Sequence, residues 1–234
     1  MRLHILSDFY LEFADYSIQT KDYYALIVAG DLPLGMQGLD FLKRALILSP
    51  VIYVLGNHEF YGYEYQSLLK QWLSVKLPGL HLLENGIVVL NDICFMGCTL
   101  WTNIVKETTE AQKMIESGMT DYCIIKHNGR KLTTADTSSV HLASLFWLEE
   151  QLQKSKGQRR VVVTHHLPSY RSVSEEFVSH PLNSAFFTEL EGFVRQNEPD
   201  LLGSWALPPA LRLLDRKNAD NIQSAWISVR ELRI

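Results

Sequence analysis

Four short apolar runs, each ending in glycine, acid, amide or histidine, constrain this chain more than any other feature. Residues 3–6 lead into Ser7-Asp8, and residues 25–29 lead into Gly30-Asp31. Residues 51–55 lead into Gly56-Asn57-His58-Glu59, and residues 161–163 lead into Thr164-His165-His166. Runs this short, bounded by turn residues and rich in branched side chains, suit buried strands rather than helices. Ligand sites of open α/β sheets collect beyond the carboxyl ends of strands, so these polar groups are placed to converge.

Longer segments of helical period separate the runs, which is the pattern of a layered α/β domain. Strands are expected at residues 3–7, 25–29, 51–55, 87–90, 93–97 and 160–164. Helices are expected at residues 37–48, 64–76, 108–117, 137–154 and 183–196. The fourth helix carries Leu142, Leu145, Leu148 and Leu152 on one stripe, with Asp136 or Thr137 available as its N-cap. No internal repeat or low-complexity linker divides the chain, so one domain is the simplest account.

Composition narrows the class. Hydrophobic residues make up 47% and charged residues 21% of 234, an ordinary globular balance rather than a disordered one. A net charge of −4 gives no general attraction to nucleic acid or to anionic membranes. No apolar stretch reaches the roughly 18–20 residues that cross a bilayer. The opening residues, Met1 to Asp8, turn polar too soon for a signal peptide. Cys94, Cys98 and Cys123 form no disulfide framework, and the first two sit in an apolar run as core thiols. A cytoplasmic, reducing environment is the expectation, with no membrane partner and no nucleic-acid partner indicated.

The strand-end residues suit metal chemistry. A carboxylate such as Asp31 can bridge two divalent ions, while Asn57 offers a neutral oxygen and His165 an imidazole nitrogen. Two such ions can activate water for in-line attack on phosphorus and stabilise the charge that develops. Glycines at 30 and 56 allow tight turns where side chains would crowd the ions. His58, beside Asn57, can protonate a leaving oxygen. Each residue also has a plainer role: Gly-Asp and Asn-His occur in ordinary turns, and His165-His166 can be one packed and one solvated ring. Their joint order at successive strand ends favours the chemical reading. Tyr61, Tyr63 and Tyr65 either line a pocket or pack a loop against the sheet.

The blocks Ser-Asp-x-x-Leu-Glu at 7–12, Ala-Gly-Asp at 29–31, Gly-Asn-His-Glu at 56–59 and Val-Val-Val-Thr-His-His-Leu-Pro-Ser at 161–169 resemble those of calcineurin-like metallophosphoesterases. Gly-Cys-Thr-Leu-Trp-Thr at 97–102 and Met-Thr-Asp-Tyr at 119–122 resemble a bacterial branch of that family. The resemblance implies a four-layer αββα sandwich, two mixed β-sheets flanked by helices. It also implies two divalent ions (Mn, Fe, Zn or similar) and hydrolysis of phosphomonoesters or phosphodiesters. Asp8, Asp31, Asn57 and His165 would be the metal ligands and His58 the catalytic histidine, with Tyr10 and His166 as secondary candidates. The substrate would be a phosphoester whose identity the sequence does not name.

Two departures stand against that pattern. The first block carries Tyr10 where the family has histidine, and a phenol is a poor substitute for imidazole. The Gly-His-x-His block expected after Pro199-Asp200-Leu201 is absent, and no histidine follows His180. A permitted choice of codons for residues 202–209, read one nucleotide forward, gives Trp-Val-His-Gly-His-Ser-His. The same shift over residues 221–228 permits Asn-Pro-Arg-Gly-Tyr, which resembles the family's closing motif. Residues 1–201 are therefore expected to form the domain. Residues 202–234 are expected to form an atypical, irregularly packed tail, the out-of-frame remainder of that domain. Loss of imidazole ligands predicts an impaired metal-dependent phosphoesterase. The alternative is an inactive scaffold with at most a binding role. Metal-free serine hydrolysis is disfavoured, because no Gly-x-Ser-x-Gly elbow accompanies the histidines.

Overall fold

The computed structural model describes residues 3–7, 23–170 and 180–204. Asp8, Tyr10 and residues 205–234 of the expected tail lie outside the described residues.

Two four-stranded sheets carry the fold. The first contains β1 (Leu3–Leu6), β2 (Ala25–Ala29), β3 (Val51–Val54) and β4 (Leu80–Leu82) in that spatial order, and all its pairings are parallel. The second contains β5 (Gly86–Leu90) and β6 (Ile93–Cys98), with β9 (Arg159–Thr164) and β10 (Leu201–Ser204) beyond them. Its order is β10-β9-β6-β5: β9 pairs in parallel with both neighbours, while β5 pairs antiparallel to β6. One sheet is thus parallel throughout the described strands and the other is mixed. A hairpin of β7 (Lys126–His127) and β8 (Arg130–Lys131) stands apart from both.

Period-two alternation sorts the side chains into layers. From β2, Ala25, Ile27 and Ala29 face the second sheet, where Phe95, Val161 and Val163 meet them. Leu26 and Val28 point the other way, into a core with Phe41 and Leu42 of α1 (Leu39–Leu46) and Leu68 and Trp72 of α2 (Tyr65–Ser74). On the far face of the second sheet, Cys94, Met96 and Val162 pack with Leu148 and Leu152 of α5 (Thr134–Lys154). These three cores make four layers, helix on sheet on sheet on helix. Cys94 and Cys98 are buried free thiols, and Cys123 is exposed.

The expected elements are present with three differences of physical interest. Helix α5 starts three residues earlier than its leucine period suggests. Thr133 is its N-cap, in a reciprocal capping box with Asp136. Its first half buries polar residues: Ser138 Oγ accepts from Ile104 N and Val105 N, while Leu142 is half exposed. A single helix over 183–196 does not form. A 3₁₀ turn at Asn183–Ala185 and helix α6 (Glu191–Asn197) replace it. The segment between them binds the chain after β9, through Leu167 N to Phe186 O, Thr188 N to Leu167 O and Leu190 N to Pro168 O. Those bonds satisfy backbone groups that a continuous helix would have used. Finally, α3 (Thr109–Gly118) is followed by a short helix, α4 (Thr120–Ile124), which carries Asp121.

Candidate metal centre

The carboxyl ends of β2 and β3 lie side by side in the first sheet, and the carboxyl end of β9 faces them from the second. That arrangement brings Asp31, Asn57, His58 and His165 together, although Asn57 and His165 stand 108 residues apart in the chain. All four side chains are buried.

Two glycines make the approach possible. Gly30 has φ of +89°, and a Cβ there would overlap His165 Nδ1 and stand 2.8 Å from Gly56 N. A Cβ on Gly56 would overlap Asp31 Oδ1. Asp31 itself occupies the left-handed region, with φ of 59°. A non-glycine residue there is uncommon and aims its carboxylate back into the site, where Oδ1 accepts from His58 N at 3.0 Å.

The ring orientation of His165 follows from hydrogen-bond chemistry. Its Nδ1 lies 2.8 Å from Ala29 O, and a carbonyl only accepts, so Nδ1 carries the hydrogen. In the neutral ring Nε2 then presents a lone pair. That nitrogen lies 3.0 Å from Asn57 Oδ1 and 3.3 Å from Asp31 Oδ1. The amide of Asn57 is oriented equally firmly. Its Nδ2 donates to Asp121 Oδ1 at 2.7 Å and to the Tyr61 hydroxyl at 3.2 Å, leaving the oxygen toward His165.

Three acceptors therefore converge: a carboxylate oxygen, an amide oxygen and an imidazole nitrogen. Their mutual repulsion is relieved by a cation or by a proton at Nε2. The 3.0–3.3 Å spacing suits an ion, since two ligands each about 2.1 Å from one metal stand about 3.0–3.4 Å apart. The donor set fits a hard or borderline divalent ion. The third donor is an amide, and among the described residues no three His, Cys, Asp or Glu side chains are grouped so as to hold a metal ion by themselves. Asp8 and Tyr10 lie outside the described residues.

His58 lies at the rim of this cluster. Its Nδ1 is 3.4 Å from Leu32 O, and its ring meets Tyr61 edge-on, with centroids 4.9 Å apart. His166 is a packing group: its ring stacks on Trp101 and its Nδ1 lies 3.3 Å from Thr99 O. Burial, and then the neighbouring His165, push its pKa down to about 3, so it is neutral near pH 7. Of the three tyrosines after His58, Tyr65 packs in the core against Phe60 and Tyr63 is exposed, while Tyr61 reaches the site.

Two residues belong to the site without having been assigned a role from the sequence. Glu59 accepts from Leu32 N at 2.9 Å, the Tyr53 hydroxyl at 2.6 Å and Gly56 N at 3.1 Å, tying the Asp31 loop to the Asn57 loop. Asp121 approaches from a helix 64 residues away. Glu59 stands in Gly-Asn-His-Glu at 56–59 and Asp121 in Met-Thr-Asp-Tyr at 119–122, so the motifs carry both residues while their bonds are tertiary.

Residues 3–202 match the calcineurin-like phosphoesterase family. The chain is 27% identical over 229 residues to an uncharacterized protein of Acanthamoeba polyphaga mimivirus, covering 83% of this chain and 80% of that protein. Its fold is similar to the crystal structure of a phosphopantetheinyl hydrolase from Mycobacterium tuberculosis. The TM-score is 0.61 at 16% identity, over 87% of this chain and 81% of that one.

Proposed function

The chain belongs to the calcineurin-like phosphoesterase family, and on that premise we propose that it is a metal-dependent phosphoesterase with impaired turnover. The observation that carries the reading is the convergence of Asp31, Asn57 and His165, with Asn57 Oδ1 at 3.0 Å and Asp31 Oδ1 at 3.3 Å from His165 Nε2. Asp31, Asn57 and His165 would hold one ion, and the family pattern would give Asp8 the role of a further ligand. Divalent ions such as Mn, Fe or Zn, when bound, polarise phosphoryl oxygens and lower the pKa of the attacking water.

The chain's own residues then have distinct tasks. The Asp31 carboxylate is held by His58 N. The His165 ring is locked by Ala29 O, which keeps Nε2 aimed inward. His58, whose ring contacts Leu32 O and Tyr61, would give a proton to the leaving oxygen of a phosphomonoester or phosphodiester. The family's Gly-His-x-His block has no counterpart in residues 202–234, and Tyr10 replaces a histidine. A two-metal centre short of imidazole ligands loses transition-state stabilisation, at about tenfold in rate per 1.36 kcal/mol.

Hydrolysis of activated aryl phosphomonoesters and phosphodiesters with added Mn²⁺, compared with an identically prepared Asp31→Asn variant, tests the reading. Slow turnover above that control supports it. Equal rates from two folded proteins would leave the inactive scaffold as the better description. The coding DNA tests the origin of the tail: a frame one nucleotide forward that contains the histidine codons is expected, and its absence rejects the frame-shift explanation.

A further inference from the structure

A cradle of two oxygen acceptors around an imidazole lone pair works only if the amide of Asn57 cannot turn over. A primary amide rotated by half a turn would present Nδ2 to His165 and donate a hydrogen where a ligand oxygen is needed. We infer that Asp121, assisted by Tyr61, is the positioning residue that fixes Asn57 with its oxygen toward the metal centre. The inference rests on the reading of Asp31, Asn57 and His165 as metal ligands.

Four observations carry it. Asp121 is buried, with 4% of its surface exposed, so its carboxylate is shielded from competing water. Its Oδ1 takes one hydrogen of Asn57 Nδ2 at 2.7 Å, a short bond to a charged acceptor. Tyr61 OH lies 3.2 Å from the same nitrogen and donates to Asp121 Oδ2 at 3.3 Å, so both amide hydrogens and both carboxylate oxygens are engaged. In the reversed orientation the amide oxygen would face a carboxylate that can only accept. The alternative is therefore repulsive on one side and unsuited to metal on the other. Asp121 acts through Asn57 and touches no reacting atom. Outer partners of this kind typically hold about 10–100-fold in metal affinity.

The route to Asp121 explains its placement. Met119 both closes α3 and opens α4, and this break aims the first turn of α4 at the loop after β3. The Tyr122 side chain anchors that turn, buried in the core with its hydroxyl 3.2 Å from Thr137 Oγ1.

The test uses the full chain and two variants, Asp121→Asn and Asp121→Leu, with two readouts. The first is the side-chain amide signal of Asn57 in ¹⁵N NMR without metal. The second is Mn²⁺ affinity by calorimetry, with circular dichroism confirming the fold. The Asn57 signal is expected to be shifted and slow to exchange in the wild type and in Asp121→Asn, which keeps an acceptor oxygen. It should collapse toward that of a free amide in Asp121→Leu. Mn²⁺ affinity should hold within about threefold in Asp121→Asn and fall about 10–100-fold in Asp121→Leu. A folded Asp121→Leu protein that keeps both the amide signal and the affinity overturns the inference. If that variant does not fold, a freely exchanging Asn57 amide in the wild type overturns it just as well. Absence of Mn²⁺ binding by the wild type would instead remove the metal reading, and the amide signal would still decide the orientation.

Discussion

The Tyr53 hydroxyl donates to Glu59 Oε1 at 2.6 Å, inside a core where both side chains are fully buried. The same carboxylate accepts from Leu32 N, next to Asp31, and from Gly56 N, next to Asn57. Glu59 therefore couples the two loops that bring the ligand candidates together. Burial, and then the charge of Asp31, raise its pKa to about 7, against the pull of the bonds it accepts.

Replacing Glu59 by Gln is expected to destabilise the fold, because one of its two acceptor oxygens becomes a donor that must face another donor. The cost of such a buried mismatch is about 1–3 kcal/mol. Tyr53→Phe, which removes one donor and leaves the carboxylate two others, should cost about 1 kcal/mol. Urea unfolding of the three proteins checks the ranking. Equal midpoints would mean that the Glu59 bonds add nothing.

Gly30→Ala is expected to abolish Mn²⁺ binding and to destabilise the chain more than Gly129→Ala. Both glycines have positive φ, +89° and +75°, so both substitutions incur left-handed backbone strain of about 1–2 kcal/mol. Only at Gly30 does the new methyl meet His165 and Gly56, whereas nothing lies within 4 Å of one at Gly129. Thermal unfolding of the pair separates steric exclusion from strain. Similar losses in both would show that the close approach at Gly30 carries no special cost.

The architecture was largely legible because its signals are local. The strand ends name Asp31, Asn57, His58 and His165, and the four layers are what the family resemblance of those blocks implied. What stayed hidden depends on contacts distant in sequence. Asp121 reaches Asn57 across 64 residues, and Glu59 reaches Leu32 across 27. The break in the expected 183–196 helix arises from pairing with Leu167 and Pro168, which no local propensity encodes. The polar half of α5 packs its hydroxyls and His141 against the loop after β6: His141 Nδ1 lies 2.9 Å from Leu100 O. An apolar periodicity cannot register such a face.

A pH dependence of stability is expected from Glu84. Although the residue is only partly buried, its carboxyl is enclosed, and burial raises its pKa to about 7 despite the bonds from Thr99 N and Oγ1. The unfolded chain releases that proton near its ordinary value of 4.5. Between these limits the folded state binds more protons, so stability is full below about pH 4.5 and falls as pH rises through 7. The loss is about 2 kcal/mol, below what the full shift implies because the residue is only partly buried. Glu84→Gln keeps an oxygen for Thr99 and should flatten this part of the profile. An unchanged profile between pH 5 and pH 8 would assign the dependence elsewhere.

The convergence of Asp31, Asn57 and His165 is tested most directly by titrating the full chain with Mn²⁺ and counting bound ions by electron paramagnetic resonance. Saturable binding by the wild type is predicted, weakened at least about tenfold in Asp31→Asn and in His165→Ala. A folded wild type that binds no Mn²⁺, or three proteins that bind it equally, would contradict the account.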